Sequence, residues 1–198
     1  MELRQRFVVG AESELEELID QFGEKLLRYA TSILYNHQDA EDAVQDVFLS
    51  AYKNRAAFDG KNISAWLYRI TYNHCVDKLK WHKRRRLFFF NDVKEEPQTF
   101  MEDSLAMPEI MEALSRLKPK ERALLYGRVM DGHSYEELSH IMDSTPAALR
   151  KQYERVKKKA AKYLRASGYA DAESPPKTFT VYSRKAETGA KGVESNVT

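Results

Sequence analysis

The chain has 198 residues, 42% hydrophobic and 31% charged, with 8 Gly and 6 Pro. That is enough chain for one large or two small cored domains, and too little Gly and Pro for a strand-and-turn architecture or a disordered polymer. The formal net charge is only +2, so a nucleic-acid function has to rest on where the charge sits rather than on its sum.

Cys75 is the single cysteine, which argues against a disulfide framework and a thiolate zinc site. Residues 1–10 carry Glu2, Arg4 and Arg6 without an apolar core, and apolar runs such as 87–90 are far short of a membrane span. No secretion signal is expected, and a cytoplasmic location is.

The expected fold class is all-α: two small helical domains joined by a flexible linker, the second a helix-turn-helix. From Ser13, a plausible N-cap, Leu15, Leu18, Ile19, Phe22, Leu26 and Ile33 recur at helical spacing. Asn36-His37-Gln38-Asp39 breaks that helix, and a second begins near Asp39, burying Ala40, Val44, Val47, Phe48 and Ala51. Asp59-Gly60-Lys61-Asn62 is a turn signal. A third helix starts near Ser64 and runs through Trp66, Leu67, Ile70, Val76 and Leu79 into Lys83-Arg84-Arg85-Arg86.

Residues 91–107 turn acidic, with Asp92, Glu95, Glu96, Glu102 and Asp103, and hold no period; they read as a linker between a first domain over 1–90 and a second over 108–165. The second opens at Pro108 with Ile110, Met111, Leu114 and Leu117 as one apolar stripe. Residues 166–198, rich in Ser, Thr and Lys, read as a disordered polar tail.

The most specific local chemistry lies in the second block. Ser134-Tyr135-Glu136-Glu137 matches a capping box, in which a Ser hydroxyl and a Glu three residues on cap each other's backbone donors. Tyr135, Leu138, Ile141 and Met142 give that short helix its apolar face. Asp143-Ser144-Thr145-Pro146 stops it and starts another, with Thr145 as N-cap and Pro146 at the first helical position. The next helix buries Leu149, Tyr153, Val156 and Ala160 and turns Arg150, Lys151, Glu154, Arg155 and Lys158 outward. A short capped helix, a tight turn and a cationic helix suit the major groove, where Arg reads guanine, Glu accepts from cytosine and Lys meets phosphate. The alternative is an ordinary amphipathic hairpin with a solvated basic face.

In the first block, Asp42, Gln45, Asp46 and Leu49 form one outward stripe, with Glu41 beside it. A Leu within a carboxylate row reads either as a protein-binding patch or as a solvated acidic face with a tolerated leucine. The following helix interleaves Trp66, Tyr68, Tyr72, Asn73, His74, Lys78, Lys80, Trp81, Lys83 and Arg84, a mixture suited to single-stranded DNA. Trp66, Tyr68 and Tyr72 also have a core reading; Trp81, beside the basic cluster, is the better exposed candidate. His74, Cys75 and His82 lack metal-site spacing, so no metal or other cofactor is expected. No nucleophile–base pair, Gly-rich phosphate loop or carboxylate dyad is present, and the chain does not read as an enzyme.

Taken together these segments resemble the sigma-70 superfamily, specifically its extracytoplasmic-function group of RNA polymerase sigma factors. The residues that carry the likeness are Asp39-Ala40-Glu41-Asp42-Ala43-Val44-Gln45-Asp46-Val47-Phe48, then Trp66-Leu67-Tyr68-Arg69-Ile70 with Asn73 and Asp77. Leu117-Lys118-Pro119-Lys120-Glu121-Arg122, Gly132-His133-Ser134-Tyr135-Glu136-Glu137-Leu138, Arg150 and Arg155 extend it through the second domain.

The resemblance implies that Glu41, Asp42, Gln45, Asp46 and Leu49 dock on the clamp helices of the largest subunit of core RNA polymerase, whose flap is a further partner. Trp66, Tyr72, Asn73, Lys78, Lys80, Trp81, Lys83 and Arg84 would open the minus-ten element, with Asn73 at the pocket for a flipped base. Arg150, Lys151, Glu154, Arg155 and Lys158 would read the minus-thirty-five element as duplex. The linker would thread towards the active-site cleft, and an anti-sigma factor would hold the protein inactive. Ala147-Ala148 stands where relatives often have Gly-Thr and Gln152 where a basic residue is common, so promoter sequence does not carry over. Two rival classes remain: a helix-turn-helix regulator that binds operators alone, and a polymerase adaptor that leaves DNA untouched.

Overall fold

The computed structural model describes residues 12–89 and 114–166, and the chain divides into two compact units. Every regular element among the described residues is helical. The expected linker 91–107, the tail beyond Ala166, and Pro108, Ile110 and Met111 lie outside them.

The first unit is a bundle of α1 (Glu12–Leu34), α2 (His37–Lys53) and α3 (Ile63–Phe89). Each of the three packs on the other two. α1 buries Leu18, Phe22, Leu26, Tyr29 and Ile33, a 3.6-residue stripe. Ile19, expected in that core, is 43% exposed, because it lies about 100° round the helix from Leu18. Ser13 is no cap: it sits inside the helix and its hydroxyl donates to Glu14 Oε2 at 3.2 Å.

α1 stops where Tyr35 takes a φ of 59°, a left-handed conformation that no helix continues. Asn36 then caps α2, its side-chain oxygen accepting the Asp39 N–H at 2.9 Å, so this helix starts two residues before the expected Asp39. α2 turns Ala40, Ala43, Val44, Val47, Phe48 and Ala51 inward. A short 3-10 turn (Arg55–Ala57) follows. Gly60, at φ 78°, sits beside Asp59, whose carboxylate accepts the Lys61 N–H at 3.1 Å. Asn62 caps α3 by accepting the Ala65 N–H at 3.0 Å. Leu67, Tyr68, Thr71, Tyr72 and Cys75 are buried on α3, and the Tyr68 ring lies 5.0 Å from that of Tyr29. Burial pushes the Cys75 thiol up to about 12, which leaves it unreactive.

The second unit holds α4 (Pro119–Val129), most of α5 (Tyr135–Met142) and α6 (Pro146–Ala166). Leu117, Leu125, Val129, Val156 and Ala160 form a core with Leu114, Tyr153 and Tyr163 against it. Glu121 accepts the Lys118 N–H at 2.7 Å and takes the Lys159 ammonium at 2.7 Å, tying α4 to α6. Burial raises the Glu121 carboxyl, but those bonds outweigh it and hold the group below its ordinary value. Arg122 is buried and donates to the Leu117 carbonyl at 2.7 Å.

Both caps expected in the second unit form. Ser134 Oγ accepts the Glu137 N–H at 3.1 Å while Glu137 accepts the Ser134 N–H at 2.9 Å. Asp143, at φ 51°, ends α5, and Thr145 Oγ1 accepts the Ala148 N–H at 3.2 Å ahead of α6.

Ser134→Ala removes one acceptor and is expected to cost the second unit about 1 kcal/mol, read by hydrogen exchange of the amides of α5. His133 gives this unit a pH dependence. Burial lowers its pKa from 6.5, with Glu137 pulling the other way. The unfolded chain therefore binds the proton more readily than the folded one. Stability is complete above the ordinary value of 6.5 and is lost as pH falls below it. His133→Leu is expected to flatten that acid limb in thermal unfolding followed as a function of pH.

Candidate nucleic-acid and protein interfaces

The buried side of α2 leaves Glu41, Asp42, Gln45, Asp46 and Leu49 together on its exposed side, with Leu49 53% exposed. Their charges are not equally available. Glu41 Oε1 lies 3.2 Å from His37 Nε2, one turn back. Asp42 Oδ2 takes the Lys78 ammonium at 3.2 Å. Asp46 forms no ion pair among the described residues, and it carries the open negative charge of the stripe.

Lys78 is the hinge of this geometry. From α3 its Nζ reaches Asp39 Oδ1 at 2.9 Å, the Asp39 carbonyl at 3.1 Å and Asp42 Oδ2 at 3.2 Å. Burial works against the Lys78 charge, yet the bonds to Asp39 and Asp42 more than offset it and hold its pKa above the ordinary lysine value. His82 Nε2 lies 3.2 Å from the second oxygen of Asp39. Lys78, a minus-ten candidate, is not an open cation here: its donors go to α2. Its partners sit 36 and 39 positions away, so spacing along the helix gave no sign of them.

The other minus-ten candidates divide. Tyr72 is 5% exposed, and its phenol is raised by burial; it is a core ring on the Leu67–Cys75 side of α3 and offers no face to a base. Trp66 is half-buried against Phe58, ring centroids 5.2 Å apart. Asn73, Lys80, Lys83 and Arg84 are exposed, and Lys80 is paired with Asp77 at 2.8 Å. Trp81 is 47% exposed, with the Arg85 guanidinium 4.8 Å above its ring and His82 edge-on at 5.0 Å. Ala43, Asp46, His74, Asp77, Lys78 and Trp81 line an open groove between α2 and α3.

On α6, Arg150, Lys151, Glu154, Arg155 and Lys158 are all exposed, opposite buried Leu149, Val156 and Ala160. The sequence reading missed how Arg150 is seated. Its guanidinium lies 5.2 Å from the Tyr135 ring, Arg128 lies 5.1 Å from the same ring, and Tyr153 meets it edge-on at 6.2 Å. Arg128 is further fixed by donating to the His133 carbonyl at 3.1 Å. Tyr135 was assigned to the apolar face; a tyrosine flanked by Arg at both neighbouring helices carries that signal only once the helices are folded together.

The described residues thus form a helical bundle with a divided acidic and aromatic-basic surface and a helix-turn-helix unit. Comparison with known proteins gives the family. Residues 18–85 match the model of sigma-70 region 2 and residues 108–159 that of sigma-70 region 4. The chain belongs to the sigma-70 family.

Among relatives, the ECF RNA polymerase sigma factor BldN of Streptomyces coelicolor is 26% identical over 166 residues, covering 79% of this chain and 63% of BldN. The ECF sigma factor SigM of Mycobacterium tuberculosis is 26% identical over 164 residues, 82% of this chain and 83% of SigM. Two solved structures share the fold. The sigma factor RpoE, in complex with the anti-sigma factor NepR from Bartonella quintana, has a TM-score of 0.64 at 22% identity over 76% of this chain and 96% of RpoE. CnrH, in complex with the cytosolic domain of CnrY, has a TM-score of 0.62 at 20% identity over 83% of this chain and 96% of CnrH.

Proposed function

We propose that this chain is an ECF-type sigma factor that binds core RNA polymerase and directs promoter recognition, strand opening and transcription initiation in the cytoplasm. The observation that carries the reading is the co-occurrence of both sigma-70 regions in one chain with three separate exposed surfaces. A helix-turn-helix regulator acting alone has no use for the α2 stripe, and a polymerase adaptor has none for the basic face of α6.

In this reading the α2 stripe docks on the clamp helices of the largest subunit, with Asp46 supplying the open charge and Leu49 the apolar anchor. α6 reads the minus-thirty-five duplex through Arg150, Lys151, Glu154, Arg155 and Lys158, and Arg150 is held ready by the Tyr135 ring. α3 holds the opened minus-ten strand with Asn73, Trp81, Lys83 and Arg84. Unstacking a base costs a few kcal/mol, and stacking on an aromatic ring returns about 1–3 kcal/mol. The chain lowers the barrier to strand opening in this way, with no bond made or broken. Control by an anti-sigma factor fits the partners bound to RpoE and CnrH.

Purified chain added to core polymerase is expected to direct initiation from fragments of its host's genome. Asp46→Arg is expected to abolish those transcripts, whereas polymerase-free operator binding with no effect on initiation would overturn the reading. Trp81→Leu is expected to weaken opened-complex formation by roughly tenfold, the equivalent of about 1.4 kcal/mol of lost stacking, while duplex binding by α6 is unchanged; permanganate footprinting of the melted strand measures the first and anisotropy with duplex DNA the second.

A further inference from the structure

Glu154 is the single carboxylate of α6 and stands in the middle of its cationic outward face. Arg150, Lys151, Lys157 and Lys158 lie one turn before or after it, all exposed, and Glu154 pairs with none of them among the described residues. The Arg150 guanidinium is drawn instead to α5, where it lies 5.2 Å from the Tyr135 ring centroid. An arginine four residues ahead of a carboxylate is in the weaker order for a helix ion pair, and an aromatic face competes well with such a pair at an exposed site. Arg128, 5.1 Å from the same ring and bonded to the His133 carbonyl, fixes the ring in place. Donor and acceptor are thus held apart on one helix face, the guanidinium on Tyr135 and the carboxylate open. One helical turn rises about 5.4 Å and base pairs stack about 3.4 Å apart, so the two side chains reach neighbouring or next-but-one base pairs.

We propose that Glu154 is a specificity-determining residue of the duplex contact, selecting a cytosine close to the guanine that Arg150 reads, and that Tyr135 is the positioning residue that keeps the two side chains from neutralising each other. This rests on the sigma-factor reading of α6 and adds the chemistry by which that helix chooses its element. A carboxylate facing duplex is repelled by every phosphate and gains only from a base edge that offers a donor. In the major groove cytosine presents its N4 amino group and no acceptor, adenine sets the N7 acceptor beside its amino group, and guanine and thymine present acceptors. An acid that only solvated the helix would leave binding indifferent to the base it faces.

The test uses the full chain with core polymerase. A fragment from which they initiate is randomised over its minus-thirty-five element, and the variants that yield transcript are sequenced. Arg150→Ala marks the guanine by relaxing the choice there. At a position beside it the unmodified chain is expected to prefer cytosine by roughly tenfold, the discrimination ordinary for one base pair. Glu154→Ala is expected to remove that preference alone, with no fall in transcript from the whole pool. Glu154→Gln is expected to move the preference to adenine, whose N6 and N7 a carboxamide meets together. Tyr135→Leu frees Arg150 to fold onto Glu154 and is expected to relax both positions, whereas Tyr135→Phe keeps the ring and both preferences. Where thermal unfolding shows that Tyr135→Leu disturbs the fold, Tyr135→Met replaces it.

An unchanged element with Glu154→Ala, or loss of a preference for a base other than cytosine, overturns the role of Glu154. Preferences that survive loss of the ring overturn that of Tyr135. Initiation that is indifferent to cytosine beside the guanine removes only this inference; no core-dependent initiation by the unmodified chain from any fragment removes the sigma-factor reading beneath it.

Discussion

Asp39 both completes the cap of α2 and ties that helix to α3. Its N–H is held by Asn36, its carbonyl and one carboxylate oxygen by Lys78, and its other oxygen faces His82. The carboxylate sits in the first turn of α2, where the helix dipole favours a negative charge. Small residues alongside it, Ala40 and Ala43, are buried and allow the two helices to approach closely. A half-buried ion pair of this kind adds little net stability over an apolar contact, but loss of one partner strands the other charge at a cost of several kcal/mol. Its effect is therefore on register. It sets which turn of α2 lies beside which turn of α3, and so places the acidic stripe next to Trp81.

The second unit reaches the same end with different chemistry. Glu121 caps α4 and also grips Lys159 on α6, so the start of one helix is bolted to the basic helix that follows. The ring of Tyr135 then supports Arg150 from α5. An arginine side chain carries about 2 kcal/mol of rotamer entropy, and seating it on an aromatic face before DNA arrives reduces what is lost on binding. Arg128 shares the ring and is fixed through the His133 carbonyl, which makes this corner rigid.

What was legible in the sequence is the chemistry that completes itself within a few residues. The caps at Ser134 and Thr145 need only a partner three positions on, and both form. The helical class, the turn at Asp59-Gly60 and the exposed stripes of α2 and α6 follow from periodicity in the same way. Ser13 misled because it lies within α1, and Asp39 marked the start of α2 two residues late because Asn36 takes the cap by geometry that spacing does not contain. The placement of Tyr72 and Lys78 was not legible for a different reason. Each has the composition of a DNA contact, but the face of α3 to which it belongs is decided by α1 and α2. The Tyr135 seat was invisible because its residues come from three helices.

The small net charge of the chain conceals an arrangement in which most exposed charge near the functional surfaces is already compensated. Lys80 is paired with Asp77, Lys78 with Asp39 and Asp42, and Glu41 faces His37. Among the described residues of α2 and α3 that bear on these surfaces, Asp46 on one side and Arg69, Lys83 and Arg84 on the other form no ion pair, and Arg85 lies over Trp81. The surfaces of the first unit thus offer few free charges each, and nucleic-acid affinity scales with the number of phosphates neutralised. Surfaces of that kind bind weakly one at a time and strongly when a common partner engages them together, because the second contact becomes intramolecular. Under the proposed function, compensation of charge on the first unit is what keeps its single contacts from sufficing and makes simultaneous engagement the source of discrimination.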